Sequence, residues 1–406
     1  MLDSHRLAAR GSVALPAPEG ALRLGASAAA PRLRVAIAGG GTGGHLVPGI
    51  ALARELAQGE DGADIVFFTS GKAIEHQIVD AARFERIDLP ARPLPRSLLA
   101  VPGAIFAGVR SLVAAWRALS AVRPDVMVGL GGFAAAAPAL VARLRGVPLI
   151  LLEQNAIPGR TNRWLASVAS QIHLQWAVAR ERLGSGASRA IDSGSPLRDG
   201  VLEAAGRHRR SAQAMKRFGV AADSIVILVT GGSQGAQALN TLAVAATREL
   251  PAALAARLHF LHLAGGAASI DELEEGYARS GVVATVLSFL DDMPAAYAIC
   301  DLALARAGGS TLAEFAAAGI PSILVPYPHA ADRHQHANAE AVQSAGAGVV
   351  LDESGVAPAR LAREIERIVC DARLLHSMSS AARSLSRPDA AASIAASVRE
   401  LVRGRP

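Results

Sequence analysis

A glycine-rich loop and the histidine that follows it are the first residues in the sequence whose types and spacing suit chemistry. Residues 35–45 read Val-Ala-Ile-Ala-Gly-Gly-Gly-Thr-Gly-Gly-His. Glycines let backbone N–H groups approach an anion at a helix N-terminus, where the helix dipole favours negative charge. His45 falls in the first turn of the predicted helix, and an imidazole titrates close enough to the working pH to act as a general base. The alternatives are a tight strand-to-helix turn and a structural histidine.

The same loop would fit a dinucleotide, but the next strand argues against a nicotinamide enzyme. Such an enzyme holds the ribose through an acidic residue at the end of the second strand. Here that strand ends Phe68-Thr69-Ser70, without a carboxylate. Because five glycines also leave room for a bulkier group, we predict that the loop faces a sugar diphosphate.

Two further loops, in the second half of the chain, offer backbone amides to phosphate. Gly231-Gly-Ser-Gln-Gly-Ala236 places Ser233 at a helix N-terminus, and Arg306-Ala-Gly-Gly-Ser-Thr-Leu-Ala-Glu314 follows another strand. A carboxylate accepts from two neighbouring hydroxyls, so Glu314 suits a ribose; its alternative role is to balance the helix dipole. One anion site in each half is what a donor and an acceptor that both carry diphosphates would need.

A polar loop at 332–338 separates apolar elements and reads Asp-Arg-His-Gln-His-Ala-Asn. Gln335 and Asn338 can both donate and accept hydrogen bonds, as sugar hydroxyls require. His334 and His336 have no evident third ligand nearby, so we do not expect a metal site.

The elements that must position these loops alternate between short apolar runs and stretches long enough for helices. This alternation is typical of parallel α/β sheets, and it occurs twice. We predict two Rossmann-like domains, at 32–198 and 199–387, with a disordered extension at 1–31 and a final helix within 388–406 that packs back on the first domain. The predicted strands cover 34–38, 64–69, 125–128, 148–152, 224–230, 257–263, 284–287, 302–305 and 321–325.

Composition narrows the class of protein. The chain has 406 residues and is 51% hydrophobic, which indicates a globular protein of about two or three domains. Two cysteines are too few for a disulfide framework, and no apolar run reaches the roughly 18 residues of a bilayer span. Aromatic residues make up 4% and do not interleave with basic clusters, so nucleic acid is not an expected partner.

The net charge of +6 comes entirely from the first half of the chain. Residues 1–200 contain 22 Lys and Arg against 15 Asp and Glu, whereas the remainder contains 19 against 20. The same half carries an apolar segment beside arginines, which suits the surface of an anionic membrane. The alternative is a buried loop and core helix. The residues that we predict to dock on the membrane are Arg92, Arg96, Leu98, Leu99 and Phe106.

Taken together, the motifs resemble those of the MurG family, the bacterial N-acetylglucosaminyltransferases that make lipid II. The resemblance covers roughly 32–403 and implies an α/β protein with a GT-B fold, in which a cleft lies between two Rossmann-like domains. It also implies a peripheral enzyme without a cofactor on the cytoplasmic face of the bacterial inner membrane, active in peptidoglycan synthesis and hence in cell shape and division. The motifs, in order, are Gly-Gly-Thr-Gly-Gly-His45, Glu153-Gln-Asn155, Gly231-Gly-Ser-Gln-Gly-Ala, Phe289-Leu-Asp-Asp-Met293, Arg306-Ala-Gly with Thr311-Leu-Ala-Glu314, and His334-Gln-x-x-Asn-Ala339.

The implied reaction moves GlcNAc from UDP-GlcNAc to the C4 hydroxyl of MurNAc in lipid I, the undecaprenyl-pyrophosphoryl-MurNAc-pentapeptide, with inversion. His45 is the preferred base and Glu153 the reserve. By the same resemblance, backbone at Leu290 would read the uracil, Glu314 the ribose and Gln335 the sugar. The positions that the resemblance assigns to UDP-GlcNAc are Thr42, Gly43, Gly44, Asn155, Arg198, Ser233, Leu290, Gly309, Ser310, Thr311, Leu312, Ala313, Glu314 and Gln335.

The sequence departs from the family at two positions. It has Ser195 where the family has the Asn of a Gly-Asn-Pro turn, and Leu152 where the family usually has His before Glu-Gln-Asn. Ser195 can form a local turn bond, so we keep Arg198 among the residues assigned to UDP-GlcNAc. Leu152 removes a histidine that could assist proton transfer, which strengthens the assignment of His45 as the base. Another GT-B enzyme (a glycolipid glycosyltransferase or a UDP-sugar epimerase) and a non-catalytic nucleotide-sugar-binding module remain alternatives.

Overall fold

The apolar runs of the sequence form the strands of two parallel sheets. The computed structural model describes residues 32–40, 43–58, 62–92, 101–206, 211–232, 235–266 and 268–404, and at 101–105 and 205–206 it describes the backbone alone. The predicted disordered extension at 1–31 lies outside the described residues.

In the first half of the chain, the described residues form one parallel sheet with helices on its faces. Its strands are β1 (Leu33–Gly39), β2 (Ala63–Thr69), β3 (Glu85–Asp88), β4 (Val126–Gly131), β5 (Leu149–Glu153), β6 (Gln171–Leu174) and β7 (Ala190–Ile191). They pair in the order β3-β2-β1-β4-β5-β6-β7. The α-helices are α1 (Gly43–Gln58), α2 (Ala73–Ala81), α3 (Val101–Val122), α4 (Phe133–Leu144) and α5 (Arg160–Leu165), and two 3-10 helices cover Ala177–Arg182 and Gly184–Arg189.

The second half forms another parallel sheet of the same kind. Its strands are β8 (Ile225–Thr230), β9 (Leu258–Leu263), β10 (Val283–Leu287), β11 (Leu302–Ala305), β12 (Ser322–Leu324) and β13 (Gly348–Val350), in the order β10-β9-β8-β11-β12-β13. The remaining helices are α6 (Val201–Gly206), α7 (Ala212–Arg217), α8 (Gln237–Thr247), α9 (Ala252–Ala255), α10 (Ile270–Ala278), α11 (Met293–Tyr297), α12 (Gly309–Ala318), the 3-10 helix Ala331–Arg333, α13 (His334–Ser344), α14 (Pro358–Val369), α15 (Ala372–Ser384) and α16 (Ala390–Arg403).

The central strands of both sheets are buried on two sides. β1, β4, β8 and β11 consist almost entirely of buried residues, as expected for parallel strands that helices cover on both faces. In each sheet the strand order changes direction at these strands, between β1 and β4 and between β8 and β11. Ligands bind at such a point, outside the carboxyl ends of the strands. The prediction of two parallel α/β domains is confirmed.

The helix α16 returns from the second domain to the first. Its Ile394, Ala395 and Val398 are fully buried and share a core with Ile37 of β1 and Leu46 of α1. The chain therefore crosses between the domains twice, once before α6 and once before α16. The residue boundaries given above for the domains remain a prediction. In the described part of the chain, no helix is long and apolar enough to span a membrane.

Candidate functional site

The carboxyl ends of both sheets border one cavity of ≈ 2210 Å³. Loops after β1, β4 and β5 line it from the first domain, and loops after β8, β11 and β12 line it from the second. A pocket for one small molecule occupies roughly 300–1,000 Å³. This cavity therefore has room for two ligands side by side.

His45 lies in the cavity wall, in the first turn of α1. Its half-buried ring packs against Gly131 and Gly132, at the end of β4. Gly132 has a φ of 72°, and a Cβ there would lie 2.6 Å from the carbonyl oxygen of Gly40, so only glycine fits. Burial and, to a smaller extent, His334 of the second domain lower the pKa of His45 to about 4. The imidazole is therefore neutral at neutral pH and able to accept a proton.

Glu153, at the end of β5, is buried and has its whole carboxylate engaged. One oxygen accepts the backbone N–H of Asn155 at 2.9 Å and its side-chain amide at 3.1 Å. The other oxygen accepts the backbone N–H of Gly159 and the side-chain amide of Asn162, each at 2.9 Å. Burial raises the pKa of Glu153, and these four bonds oppose that rise. Because a carboxylate offers about four acceptor positions, Glu153 holds the 153–159 loop and has little capacity left for a substrate.

Glu314 lies on α12 with 3% of its surface exposed. One oxygen accepts the Nε–H of Arg198 at 2.6 Å and the other accepts the hydroxyl of Tyr297 at 2.5 Å. Burial and then the Glu314 carboxylate raise the pKa of Tyr297 well above its usual value, so the phenol remains a donor. The predicted ribose acceptor and the predicted positive charge of Arg198 thus lie together. Two acceptor positions of the carboxylate remain for hydroxyls.

The N-terminus of α12 lies at the cavity, in contact with the first domain. The Ser310 hydroxyl donates to the Gly44 carbonyl at 2.5 Å, and the Gln175 amide donates to the Gly309 carbonyl at 3.0 Å. The backbones approach so closely that a Cβ at Gly309 would lie 2.3 Å from the carbonyl oxygen of Gln154. The amides and the dipole at this helix end suit a phosphate group.

Three second-domain residues were expected to suit the sugar or the uracil, and the structure places two of them at the cavity and buries the third. Gln335 lines the cavity and accepts the backbone N–H of Tyr327 at 2.9 Å, which leaves its own N–H groups to donate. Leu290 also lines the cavity. Asn338 is fully buried, with its amide group taken up by three bonds to protein atoms. The expectation that Asn338 binds a sugar is therefore wrong.

The turn before Arg198 also differs from its prediction. Among the residues that the structure describes, the buried Ser195 hydroxyl has no hydrogen-bond partner, so the predicted local turn bond is absent. Ser193 instead donates to the Gly194 carbonyl at 3.2 Å. Arg198 owes its position to the ion pair with Glu314.

Most of the residues predicted to bind the donor lie at the cavity. Leu312 packs in the second-domain core instead, and Ala313 lies beside it, away from this cavity wall. Phe106 is 66% exposed on α3. Arg92 and the following predicted residues line the cavity: Gly43, Gly44, Asn155, Arg198, Leu290, Gly309, Ser310, Thr311, Glu314 and Gln335. The predicted residues that fall outside the described part of the chain are Thr42, Arg96, Leu98, Leu99 and Ser233.

Sequence reasoning gave no role to several other side chains at or behind the cavity. Arg306 is 7% exposed, pairs with Glu353, and has its guanidinium 5.5 Å from the ring centre of Tyr327. The Tyr297 hydroxyl donates to Glu314, and the Asn162 amide donates to Glu153. Arg306 had a sequence signal, because it stands directly after a predicted strand, whereas the other side chains come from distant elements.

The chain is similar to transferases over most of its length. Residues 35–174 match the glycosyltransferase family 28 N-terminal domain, and residues 226–394 match its C-terminal domain. A protein of Anaeromyxobacter sp. (strain K) is 38% identical over 92% of this chain and 94% of its own. One of Myxococcus xanthus (strain DK1622) is 36% identical over 89% of this chain and 91% of its own. Both are named UDP-N-acetylglucosamine–N-acetylmuramyl-(pentapeptide) pyrophosphoryl-undecaprenol N-acetylglucosamine transferase.

Solved structures show the same architecture. MurG of Acinetobacter baumannii superposes with a TM-score of 0.71 and 27% identity, over 91% of this chain and 100% of that chain. A UDP-GlcNAc 2-epimerase of Neisseria meningitidis superposes with a TM-score of 0.65, over 91% of this chain and 100% of that chain, but with 12% identity, so it shares the fold alone. Sequence identity therefore separates the transferases from an epimerase of similar fold.

Proposed function

This chain belongs to the MurG family within glycosyltransferase family 28, and from that premise we propose that it transfers N-acetylglucosamine from UDP-GlcNAc to lipid I, giving lipid II in peptidoglycan synthesis. The observation that carries the proposal is the identity of 38% and 36%, over 92% and 89% of the chain, with transferases named for this reaction. The cavity supports it, because a neutral histidine of one domain borders the same space as a helix N-terminus of the other.

In the proposed mechanism, His45 accepts the proton of the C4 hydroxyl of MurNAc as that oxygen attacks the anomeric carbon of GlcNAc. The new carbon–oxygen bond forms while the bond from the same carbon to UDP breaks, and this single displacement inverts the configuration. The neutral state of His45 and its place in the cavity wall suit the role. Glu153 is the reserve base, and the four hydrogen bonds that it accepts favour His45.

UDP leaves with negative charge. We assign the stabilisation of this charge to the second domain and to the segment between β7 and α6, which carries Arg198. The N-terminus of α12 offers the amides of 309–311, and Arg198 adds a positive charge where the leaving group develops its own. In this assignment Glu314 holds the ribose hydroxyls, backbone at Leu290 contacts the uracil and Gln335 contacts GlcNAc. The assigned groups use no cofactor.

The transfer is tested by incubating the full chain with UDP-GlcNAc and a short-chain lipid I analogue. We expect GlcNAc on the analogue and an equal amount of released UDP. Product on other lipids would support a different glycolipid glycosyltransferase, and an epimerised UDP-sugar would support an epimerase. Binding of UDP-GlcNAc without turnover would support a nucleotide-sugar-binding module. All three outcomes would contradict the proposal.

We further propose that the first domain docks on anionic lipid at the cytoplasmic face of the bacterial inner membrane. The helix α3 carries an exposed apolar surface that includes Phe106 (66% exposed), Val109 (53%) and Trp116 (49%). The guanidinium groups of Arg110 and Arg145 lie 5.9 and 4.9 Å from the ring centres of Phe106 and Trp116. Apolar side chains beside arginines gain from burial at the headgroup boundary and from attraction to anionic lipid. Docking there would bring the cavity to an acceptor whose lipid tail stays in the bilayer.

The triple variant Leu98→Ser, Leu99→Ser and Phe106→Ser should bind anionic vesicles at least about tenfold more weakly, because each buried apolar side chain contributes roughly 1.5–3 kcal/mol. Cosedimentation with phosphatidylglycerol vesicles at low and high salt measures this, and binding of the parent should weaken with salt. Val283→Ser is the matched control, since Val283 is 56% exposed but lies on β10 of the second sheet. Parent-like binding by the triple variant, or its unfolding, would place the segment in the core and contradict the prediction.

A further inference from the structure

One fully buried side chain, Asn338, joins the two domains behind the cavity. It lies on α13, one turn after the cavity-lining residues His334 and Gln335. Its side-chain oxygen accepts the backbone N–H of Ala156 at 2.7 Å. Its side-chain nitrogen donates to the side-chain oxygen of Asn155 and to the carbonyl of Ala307, each at 3.0 Å. Both amide hydrogens are therefore in use, and the orientation of the amide is fixed by one donor and one acceptor of the backbone.

These three bonds join loops from both halves of the cavity. Asn155 and Ala156 belong to the loop that follows β5 in the first domain. Ala307 belongs to the loop that follows β11 and leads directly into the N-terminus of α12. A single side chain thus sets the spacing between a first-domain loop and the helix end proposed to bind the diphosphate.

The connection continues from Asn155 to Glu153. The backbone N–H and the side-chain amide of Asn155 both donate to one oxygen of Glu153, at 2.9 and 3.1 Å. The other oxygen holds the far end of the same loop through Gly159 at 2.9 Å. We call Glu153, Asn155 and Asn338 the interdomain network. A buried polar network in which each member has its partners specifies one arrangement of the groups that it joins.

We propose that Asn338 is a positioning residue, which fixes His45 of the first domain relative to the α12 N-terminus of the second. The proposal rests on the proposed transfer reaction, because only a step between groups on the two domains requires this spacing. The hydrogen bond from Ser310 to the Gly44 carbonyl, at 2.5 Å, shows that the residue before His45 already touches α12. Within the network, Glu153 acts by holding Asn155.

A positioning role separates kcat from donor affinity. The donor contacts proposed above lie mainly on the second domain, and two of the three Asn338 bonds, those with Asn155 and Ala156, cross to the first domain. Loss of the network should therefore leave UDP affinity nearly unchanged, whereas His45 moves relative to the reacting carbon. A misplacement of about 1 Å can cost about a hundredfold in rate.

The first test is Asn338→Asp, which keeps the shape of the side chain but turns an acceptor towards Asn155 and Ala307. We expect kcat to fall by about 10- to 100-fold, with the dissociation constant of UDP, measured by calorimetry, within about threefold of the parent. Asn155→Ala removes one of the two interdomain bonds of Asn338 without burying a charge, so it serves if Asn338→Asp does not fold. Asn338→Ala removes all three bonds, whereas Asn155→Ala leaves those with Ala156 and Ala307. The double variant should therefore lower kcat no further than Asn338→Ala alone.

Thr247→Val is the matched control for loss of a buried hydrogen bond inside the second domain. Thr247 is 1% exposed, and its hydroxyl bonds to Val244 and Ser280 at 2.7 and 3.0 Å. This variant should lower Tm but leave kcat within about twofold of the parent, because a substitution that shares no partners with a distant site is not coupled to that site. A network variant whose kcat is no lower than that of Thr247→Val would overturn the proposal.

Hydrogen exchange tests the network without any turnover. The backbone N–H of Ala156, which donates to Asn338, should exchange faster in Asn338→Ala, which lacks the accepting oxygen, than in the parent, and at the parent rate in Thr247→Val. Unchanged exchange at Ala156 would overturn the proposal, as would additive losses of kcat in the double variant. If the parent moves no GlcNAc to the lipid I analogue, the transfer function fails, whereas the exchange result still decides whether Asn338 holds the loops together.

Discussion

Replacing His45 with alanine is expected to lower kcat by roughly 10²- to 10⁴-fold, the range that a general base contributes. The variant loses the neutral imidazole in the cavity wall, so the attacking hydroxyl has no positioned acceptor for its proton. UDP affinity should change little, because the assigned donor contacts lie mainly on the second domain. UDP release with a lipid I analogue measures kcat, and calorimetry measures UDP binding.

His334→Ala is the matched control, since His334 also lines the cavity and lies close enough to lower the pKa of His45. It should cost far less in kcat than His45→Ala. Undiminished turnover by His45→Ala would remove His45 as the base, and Glu153→Gln would then show whether Glu153 or water takes the proton.

The low pKa of His45 also determines an expected pH profile. A base is active when unprotonated, so kcat/KM, which reports the free enzyme, should stay level on acidification and fall only as the pH approaches about 4. Diphosphates bound beside the imidazole favour its protonated form and raise its pKa, so the acid limb of kcat should lie at higher pH than that of kcat/KM. Coincident limbs would contradict this assignment.

Replacing Glu314 with alanine is expected to raise the KM for UDP-GlcNAc by roughly 10- to 150-fold, because the ribose hydroxyls lose a charged acceptor that contributes about 1.5–3 kcal/mol. The same change leaves Arg198 and Tyr297 without their buried partner. Because the Arg198 side chain keeps 30% exposure to water, the ion-pair share of the lost stability should be well below the roughly 3–5 kcal/mol of a fully buried pair. Calorimetry with UDP and thermal unfolding measure the two effects separately.

Tyr297→Phe distinguishes the binding role of Glu314 from its structural role. It removes one donor to the carboxylate and leaves the charge in place, so stability should fall while UDP affinity stays within about threefold. Glu314→Gln keeps the shape of the side chain without its charge. Its UDP affinity should lie between that of Tyr297→Phe and that of Glu314→Ala. Equal UDP affinity for Glu314→Ala and the parent would remove Glu314 from the donor site.

The sequence predicted the strands whose own residues are apolar and missed the strands that depend on a neighbour. All nine predicted runs are strands in the structure, including β1 and β8, which precede the glycine loops. The missed strands are β3, β6, β7 and β13, each of two to four residues at or next to a sheet edge. β3 reads Glu-Arg-Ile-Asp, a composition that carries little strand preference, so pairing with β2 decides its structure.

The candidate site divides in the same way. Glycine loops and the helices after them are local features, and they place His45 and Gly309 at the cavity as predicted from the sequence. The ion pair of Arg198 with Glu314 joins residues 116 apart, and the bond of Asn155 with Asn338 joins residues 183 apart. Spacing and periodicity contain no information about such pairs. The chemical type of Asn338 therefore suggested a sugar contact, whereas in the fold its side chain lies between the domains and bonds to Asn155 and Ala156.

The return of α16 to the first domain has a consequence for how the protein is made. Ile394, Ala395 and Val398 complete a core whose other residues include Ile37 and Leu46, yet they are translated after the entire second sheet. Domains generally fold in the order in which they leave the ribosome, but here the first domain emerges with the apolar face of α1 still uncovered. It must wait for the second domain to be synthesised before that face is buried. A chain interrupted before residue 390 would contain every residue assigned to the cavity and still present an open core to its neighbours.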